Sequence, residues 1–96
     1  MTSVKPPPGH FALLYFAAAS DFTKRNAETI PAPVRAIELF QVLDQRYPGI
    51  KNKVLSSCAV TVNLQYVDLD GDDAADKELV IKEGDEVAII PPVSSG

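Results

Sequence analysis

One stretch in the middle of the chain sets the fold class. Ala36, Leu39, Phe40, Leu43 and Tyr47 recur at i, i+3, i+4, i+7 and i+11, a single apolar stripe of helical period. Glu38, Gln41, Asp44 and Gln45 fall on or near the other side. The spacing predicts one main helix from about Val34 to Tyr47. Pro33 suits its first turn, and Pro48-Gly49 ends it. The flanking apolar runs are short and strand-like. A lone amphipathic helix between strands must lay its stripe across a sheet, which makes the class α+β, with one main helix packed across a mixed sheet of four to five strands.

The strands follow in order. His10–Ala18 is apolar on both faces, as a central strand requires. Ser20–Asn26 reads as a turn or short helical connection, capped by Ser20 or Asp21. Ala27–Ile30 is a short second strand returning beside the first. Ile50–Ser57 reads as a linker carrying Lys51 and Lys53. A strand from Cys58 to Tyr66 turns Val60, Val62 and Leu64 one way and Thr61, Asn63 and Gln65 the other. Leu79–Ile81 is a short edge strand. Gly84 suits a tight turn over Lys82–Asp85, and Glu86–Ile90 is the last strand. If the first and last strands lie side by side in parallel, the crossover between them is right-handed. The expected layout is a loose proline-rich lead over 1–9, a domain over 10–92 and an extended tail over 93–96.

With 96 residues the chain supports one domain and one modest core. A net charge of −4 argues against nucleic acid, which wants clustered Lys and Arg, and suits a basic protein surface better. Cys58 is the only cysteine, so no internal disulfide can form. Met1–His10 lacks an apolar signal core, and the run Phe11–Ala19 is too short to span a bilayer. The expectation is a cytoplasmic protein without membrane contact. Asp68–Asp76 fails the calcium-loop spacing, with Asp73 where glycine belongs and Leu79 where the bidentate glutamate belongs, so no metal is expected. His10 reads as a surface histidine and Cys58 as a small strand residue; nothing around either supports a hydrolase.

The end of the chain carries the chemistry. Val87-Ala88-Ile89-Ile90 stops at Pro91-Pro92, and a thin tail, Val93-Ser94-Ser95-Gly96, follows. The two prolines hold an extended exit, and six residues from Pro91 reach roughly 20 Å. The group they deliver is the α-carboxylate of Gly96, ionised at neutral pH with an ordinary pKa of about 3.3–3.7. A carboxylate is a poor electrophile and must first be activated, for instance as a mixed anhydride with AMP.

The stretch Gly84–Gly96, GDEVAIIPPVSSG, resembles the end of the small sulfur-carrying subunits of molybdopterin synthase, a MoaD/ThiS-like, ubiquitin-like family of β-grasp fold. Tyr15-Phe16-Ala17, Arg46-Tyr47-Pro48 and the Val-x-Val-Asn step at 60–63 extend the resemblance over nearly the whole chain. Three positions depart from it. Ser20-Asp21-Phe22-Thr23 stands where the family often has an Arg-Glu pair, Leu64 where it often has glycine, and Ser95 where it has its penultimate glycine.

The resemblance implies a subunit with no self-contained active site and no permanently bound cofactor. An adenylyltransferase and sulfurtransferase similar to ubiquitin-activating enzymes would consume ATP to form a transient glycyl adenylate on Gly96. A protein persulfide would convert it to a thiocarboxylate, 1-thioglycine. The large catalytic subunit, in a heterotetramer, would take the tail Pro91, Pro92, Val93, Ser94 and Ser95 and use the sulfur to build the pterin dithiolene. The expected docking patch gathers Phe16 or Tyr15 with Val87, Ile89 and Pro91–Val93; if those side chains are internal, the contact patch lies elsewhere. Ser95 favours an alternative, a ubiquitin-like interaction module with an inert tail. A further alternative keeps the sulfur chemistry but serves thiamine or tRNA thiolation; the Pro-Pro-Val-x-x-Gly ending favours the molybdopterin branch.

Overall fold

A computed structural model describes residues 5–69 and 71–91. The elements are β1 (His10–Tyr15), α1 (Ala18–Thr23), β2 (Ala27–Pro31), β3 (Val34–Arg35), α2 (Leu39–Arg46), α3 (Ile50–Lys53), β4 (Ala59–Val62), β5 (Gln65–Tyr66), β6 (Val80–Ile81) and β7 (Glu86–Ile90). Single turns of 3-10 helix lie at Ala36–Glu38 and Leu55–Ser57. The main sheet has five strands in the order β2-β1-β7-β4-β5, and β3 pairs with β6 in a second sheet of two. β1 and β7 are parallel neighbours, with Leu13 opposite Val87 and Tyr15 opposite Ile89. This is the β-grasp arrangement.

The core lies between the sheet and the helical layer. Phe11, Leu13 and Tyr15 of β1, Val60 and Val62 of β4, and Val87 and Ile89 of β7 point inward. They meet Leu39 and Leu43 of α2, whose stripe is buried as its period requires, with Phe40 and Tyr47 at its margin.

Local chemistry shifts several boundaries. The helix proper starts at Leu39, because Val34 and Arg35 are drawn into an antiparallel pair with Ile81 and Val80. Pro33 follows a cis peptide bond and lies outside the helix. The stretch after α2 is more than a linker: Ile50, Val54 and Leu55 are buried, and the Asp44 carboxylate accepts from the amides of Gly49 and Lys51 at 3.2 and 3.1 Å. Neither Ser20 nor Asp21 caps α1, whose N-cap is Ala17. The strand expected from Cys58 to Tyr66 folds at Asn63-Leu64 into a two-residue hairpin, with Val62 opposite Gln65. A one-strand reading puts Leu64 with the core; the turn throws it into solvent. The short strand at Val80–Ile81 leaves the main sheet for β3, and Gly84, at φ 85°, makes the turn into β7.

Candidate functional site

β7 is the strand that leads to the tail, and it is held on both edges. Tyr15 and Val60 flank Ile89, and Ala59 still pairs with Ile90. Pro91 follows, half-buried, and is the last described residue of the chain. Gly96 and the tail residues Pro92, Val93, Ser94 and Ser95 lie outside the described residues.

The period of two along β7 sorts its side chains onto opposite faces. Val87 and Ile89 are 0% exposed, locked against the helical layer. They therefore cannot belong to the expected docking patch, and neither can Tyr15, which is buried on the same side. Both faces of β7 are apolar in sequence, so its pattern alone does not show which face turns outward. The outward one carries Glu86, Ala88 and Ile90. Phe16 does lie at the surface, 43% exposed.

The register builds a row across the outward face. Leu14 on β1 neighbours Ala88 on β7, Ala88 neighbours Thr61 on β4, and Thr61 neighbours Tyr66 on β5. Phe16, Ile90 and Leu64 complete an apolar groove of about 230 Å3 over this row. Tyr66 is 68% exposed and Leu64 81%. Large apolar side chains gathered this openly mark a contact surface. The groove includes Ile90, which leads into Pro91, the last described residue.

Asn63 fixes the rim of the groove. Asn63 and Leu64 both have positive φ, 51° and 72°, the pattern of a type I′ hairpin turn. Asn-Gly is the usual pair for this turn, because asparagine and glycine tolerate the left-handed region. Leucine does not, at a cost of about 1–2 kcal/mol. The turn is held in place by its first residue. The Asn63 side-chain amide donates to Asp85 Oδ1 at 3.1 Å, its Oδ1 accepts from the Glu86 amide at 2.9 Å, and its own backbone N–H donates to the Glu86 carbonyl at 2.7 Å. The Val-x-Val-Asn step thus ties the β4–β5 turn to the entry of β7.

A buried polar cluster stands on the opposite, helix-facing side of the sheet. The Glu28 carboxylate accepts from the hydroxyls of Tyr15 and Tyr47 and from Arg46. Burial, followed by Glu28, pushes both phenols above their ordinary range. The cluster joins the end of α2 to the β1–β2 hairpin and does not reach the groove. Its function is structural.

The candidate reactive side chains stand apart. His10 starts β1, at the end of the sheet away from the tail, with Nδ1 3.0 Å from the Pro8 carbonyl oxygen. The Cys58 thiol donates to the Val54 carbonyl at 3.3 Å, and burial raises its pKa, which disfavours the thiolate. Among the described residues, no group of three or more His, Cys, Asp or Glu side chains could hold a metal ion. No described helix is long and apolar enough to cross a membrane.

Comparison with known proteins places this geometry. A protein of Phaeosphaeria nodorum named molybdopterin synthase sulfur carrier subunit is 66% identical over 96 residues, covering all of both chains. A putative molybdopterin converting factor, subunit 1, from Pyrococcus furiosus has a similar fold: TM-score 0.68, 24% identity, 88% of this chain and 98% of that one. Subunit 1 of the Helicobacter pylori molybdopterin-converting factor, solved in complex with subunit 2, is similar at TM-score 0.58 and 21% identity, over 91% of this chain and 99% of that one. The ThiS family model matches residues 13–96. That match runs from inside β1 to the terminal glycine, and the chain is a member of the ThiS family.

Proposed function

We propose that this chain is the sulfur carrier subunit of a molybdopterin synthase, acting in molybdenum cofactor biosynthesis. The observation that carries the reading is the 66% identity, over the full length of both chains, to a protein of that name. The fold suits such a role, because β7 is anchored along both edges and leads directly to the tail.

The domain is a handle for its own terminal carboxylate. An activating enzyme adenylates Gly96 with ATP and releases pyrophosphate. The outer sulfur of a protein persulfide attacks the glycyl carbonyl and expels AMP. A thiol then cleaves the resulting acyl disulfide, leaving the thiocarboxylate on Gly96 and a disulfide on the donor side. The thioacid is more acidic than the parent carboxylic acid and its sulfur is the better nucleophile, so it is anionic and reactive at neutral pH. The tail Pro91–Gly96 then enters the large catalytic subunit, where the sulfur attacks the pterin precursor and displaces an oxygen substituent. Water hydrolyses the resulting thioester, leaving the sulfur on the pterin and returning Gly96 to its carboxylate. General acid, general base and substrate-binding cations come from that subunit. The pairing of subunit 1 with subunit 2 in the Helicobacter pylori factor supports such a partner. The outward groove of Phe16, Tyr66 and Ile90 is the surface we assign to it. We assign the reaction to the cytoplasm, where ATP is available and thiols stay reduced. The inert-module alternative rests on Ser95 alone, and serine is small enough to be tolerated beside Gly96.

The test is intact-mass measurement after incubation with the activating enzyme, ATP and a sulfur source. The expected result is exchange of one oxygen for one sulfur, mapped to Gly96. An unchanged mass with an enzyme competent on another carrier would overturn the reading.

A further inference from the structure

We propose that Leu64 is a specificity-determining anchor for the catalytic subunit, a strained and solvent-exposed leucine held ready for an apolar pocket on that partner. The inference rests on the sulfur-carrier reading. Three independent observations converge on this residue. Its backbone lies in the left-handed region, at φ 72°, where leucine is disfavoured. Its side chain is 81% exposed, more than any other large apolar side chain among the described residues. The turn is locked by the Asn63 side chain against Asp85 and Glu86, so the strain is imposed by the surroundings.

Within the free domain this leucine contributes little to the core. It buries little surface, and it occupies a turn position that glycine or asparagine fills without strain. Both disadvantages become advantages in a complex. A rigid turn presents the side chain without an ordering penalty on binding, and an exposed leucine loses its contact with water when covered. The occupant is fixed by position. Leu64 lines the same groove as Ile90, and the chain continues from Ile90 through Pro91 into the tail. Five further residues, Pro92–Gly96, reach roughly 16–18 Å. A protein that draws the tail into its active site is thereby brought against this rim. The activating enzyme also takes the tail, but a similar fold is solved in complex with subunit 2 of its molybdopterin-converting factor. We therefore assign the anchor to the catalytic subunit, which meets Leu64 with an apolar recess.

The test is calorimetric titration of wild type, Leu64→Asn and Leu64→Met with the purified catalytic subunit, alongside thermal unfolding of each chain alone. Leu64→Asn relieves the backbone and removes the apolar contact. It is expected to unfold at a temperature higher by about 4 °C or more and to bind roughly 10-fold or more weakly. Leu64→Met keeps the apolar bulk and is expected to bind as wild type does. An Asn variant that binds as tightly as wild type would overturn the anchor, as would a Met variant that loses as much as Asn. An Asn variant no more stable than wild type would overturn the strain. A loss seen only against the activating enzyme would assign the leucine to that partner and overturn the proposal. Wild-type protein that fails to bind the catalytic subunit at all would instead overturn the carrier reading on which the proposal stands.

Discussion

The Tyr47 hydroxyl donates to the Glu28 carboxylate at 2.7 Å, joining the residue after α2 to β2 across 19 positions of sequence. Tyr15 donates to the same oxygen, and Arg46 reaches the other at 3.0 Å. The Glu28 side chain is only 8% exposed, so these donors are its main solvation. Tyr47→Phe is expected to cost about 1.5 kcal/mol, and Glu28→Ala about 2–3 kcal/mol, because it leaves two phenols without their acceptor. Urea unfolding with an unchanged slope checks both values.

The same cluster gives an alkaline limit. The folded protein holds Tyr15 and Tyr47 above the ordinary phenol value of 10.0, through burial first and Glu28 second. A raised pKa means the folded state keeps its protons after the unfolded chain has lost them. That stabilisation is complete below pH 10 and declines as pH rises past it. Unfolding free energy is expected to fall above pH 10, with a shallower slope in Tyr15→Phe once the difference at pH 8 is subtracted. Denaturant titrations at pH 8–11 measure it.

The two faces of the sheet predict opposite phenotypes. Ile89 is wholly buried, and Ile89→Ala is expected to destabilise by about 2–5 kcal/mol. Tyr66 is 68% exposed, and Tyr66→Ala is expected to stay within about 0.5 kcal/mol of wild type. It should nevertheless weaken binding to the catalytic subunit roughly 10-fold or more, as loss of an aromatic anchor does. Thermal unfolding and calorimetry on the same two variants separate the faces.

Deletion of Gly96 is expected to abolish sulfur loading while leaving the melting temperature unchanged, since among the described residues the buried core lies within Phe11–Ile89. Ser95→Gly is expected to load as wild type does. Intact mass and thermal unfolding read both outcomes.

Much of this is legible in the sequence where one physical cause dominates. The α2 stripe, the turn at Gly84 and the β7 boundaries follow from periodicity and turn chemistry. The parallel pairing of the first and last strands stands in the sequence only as a condition that the resemblance implies, and the terminal motif leads to the right family. Three features are hidden by competition between causes. Val34 and Arg35 continue the helical pattern but find strand partners in the distant Ile81 and Val80, which a local period does not register. β7 is apolar on both faces, so its pattern allows Val87 and Ile89 on the outside when the outer pair is Ala88 and Ile90. Leu64 continues an alternating strand pattern, yet Asn63 bonds to Asp85 and Glu86 and turns the chain there. A leucine beside an asparagine gives no sign of a hairpin when glycine is the usual signal.

The placement of β7 between β1 and β4 has a mechanical consequence. A force applied at Ile90 along the axis of this strand is opposed from both sides. The load falls on both ladders together, in shear, rather than opening them one rung after another from a free edge. The fold therefore resists a pull on its last strand better than it would with that strand at an edge of the sheet.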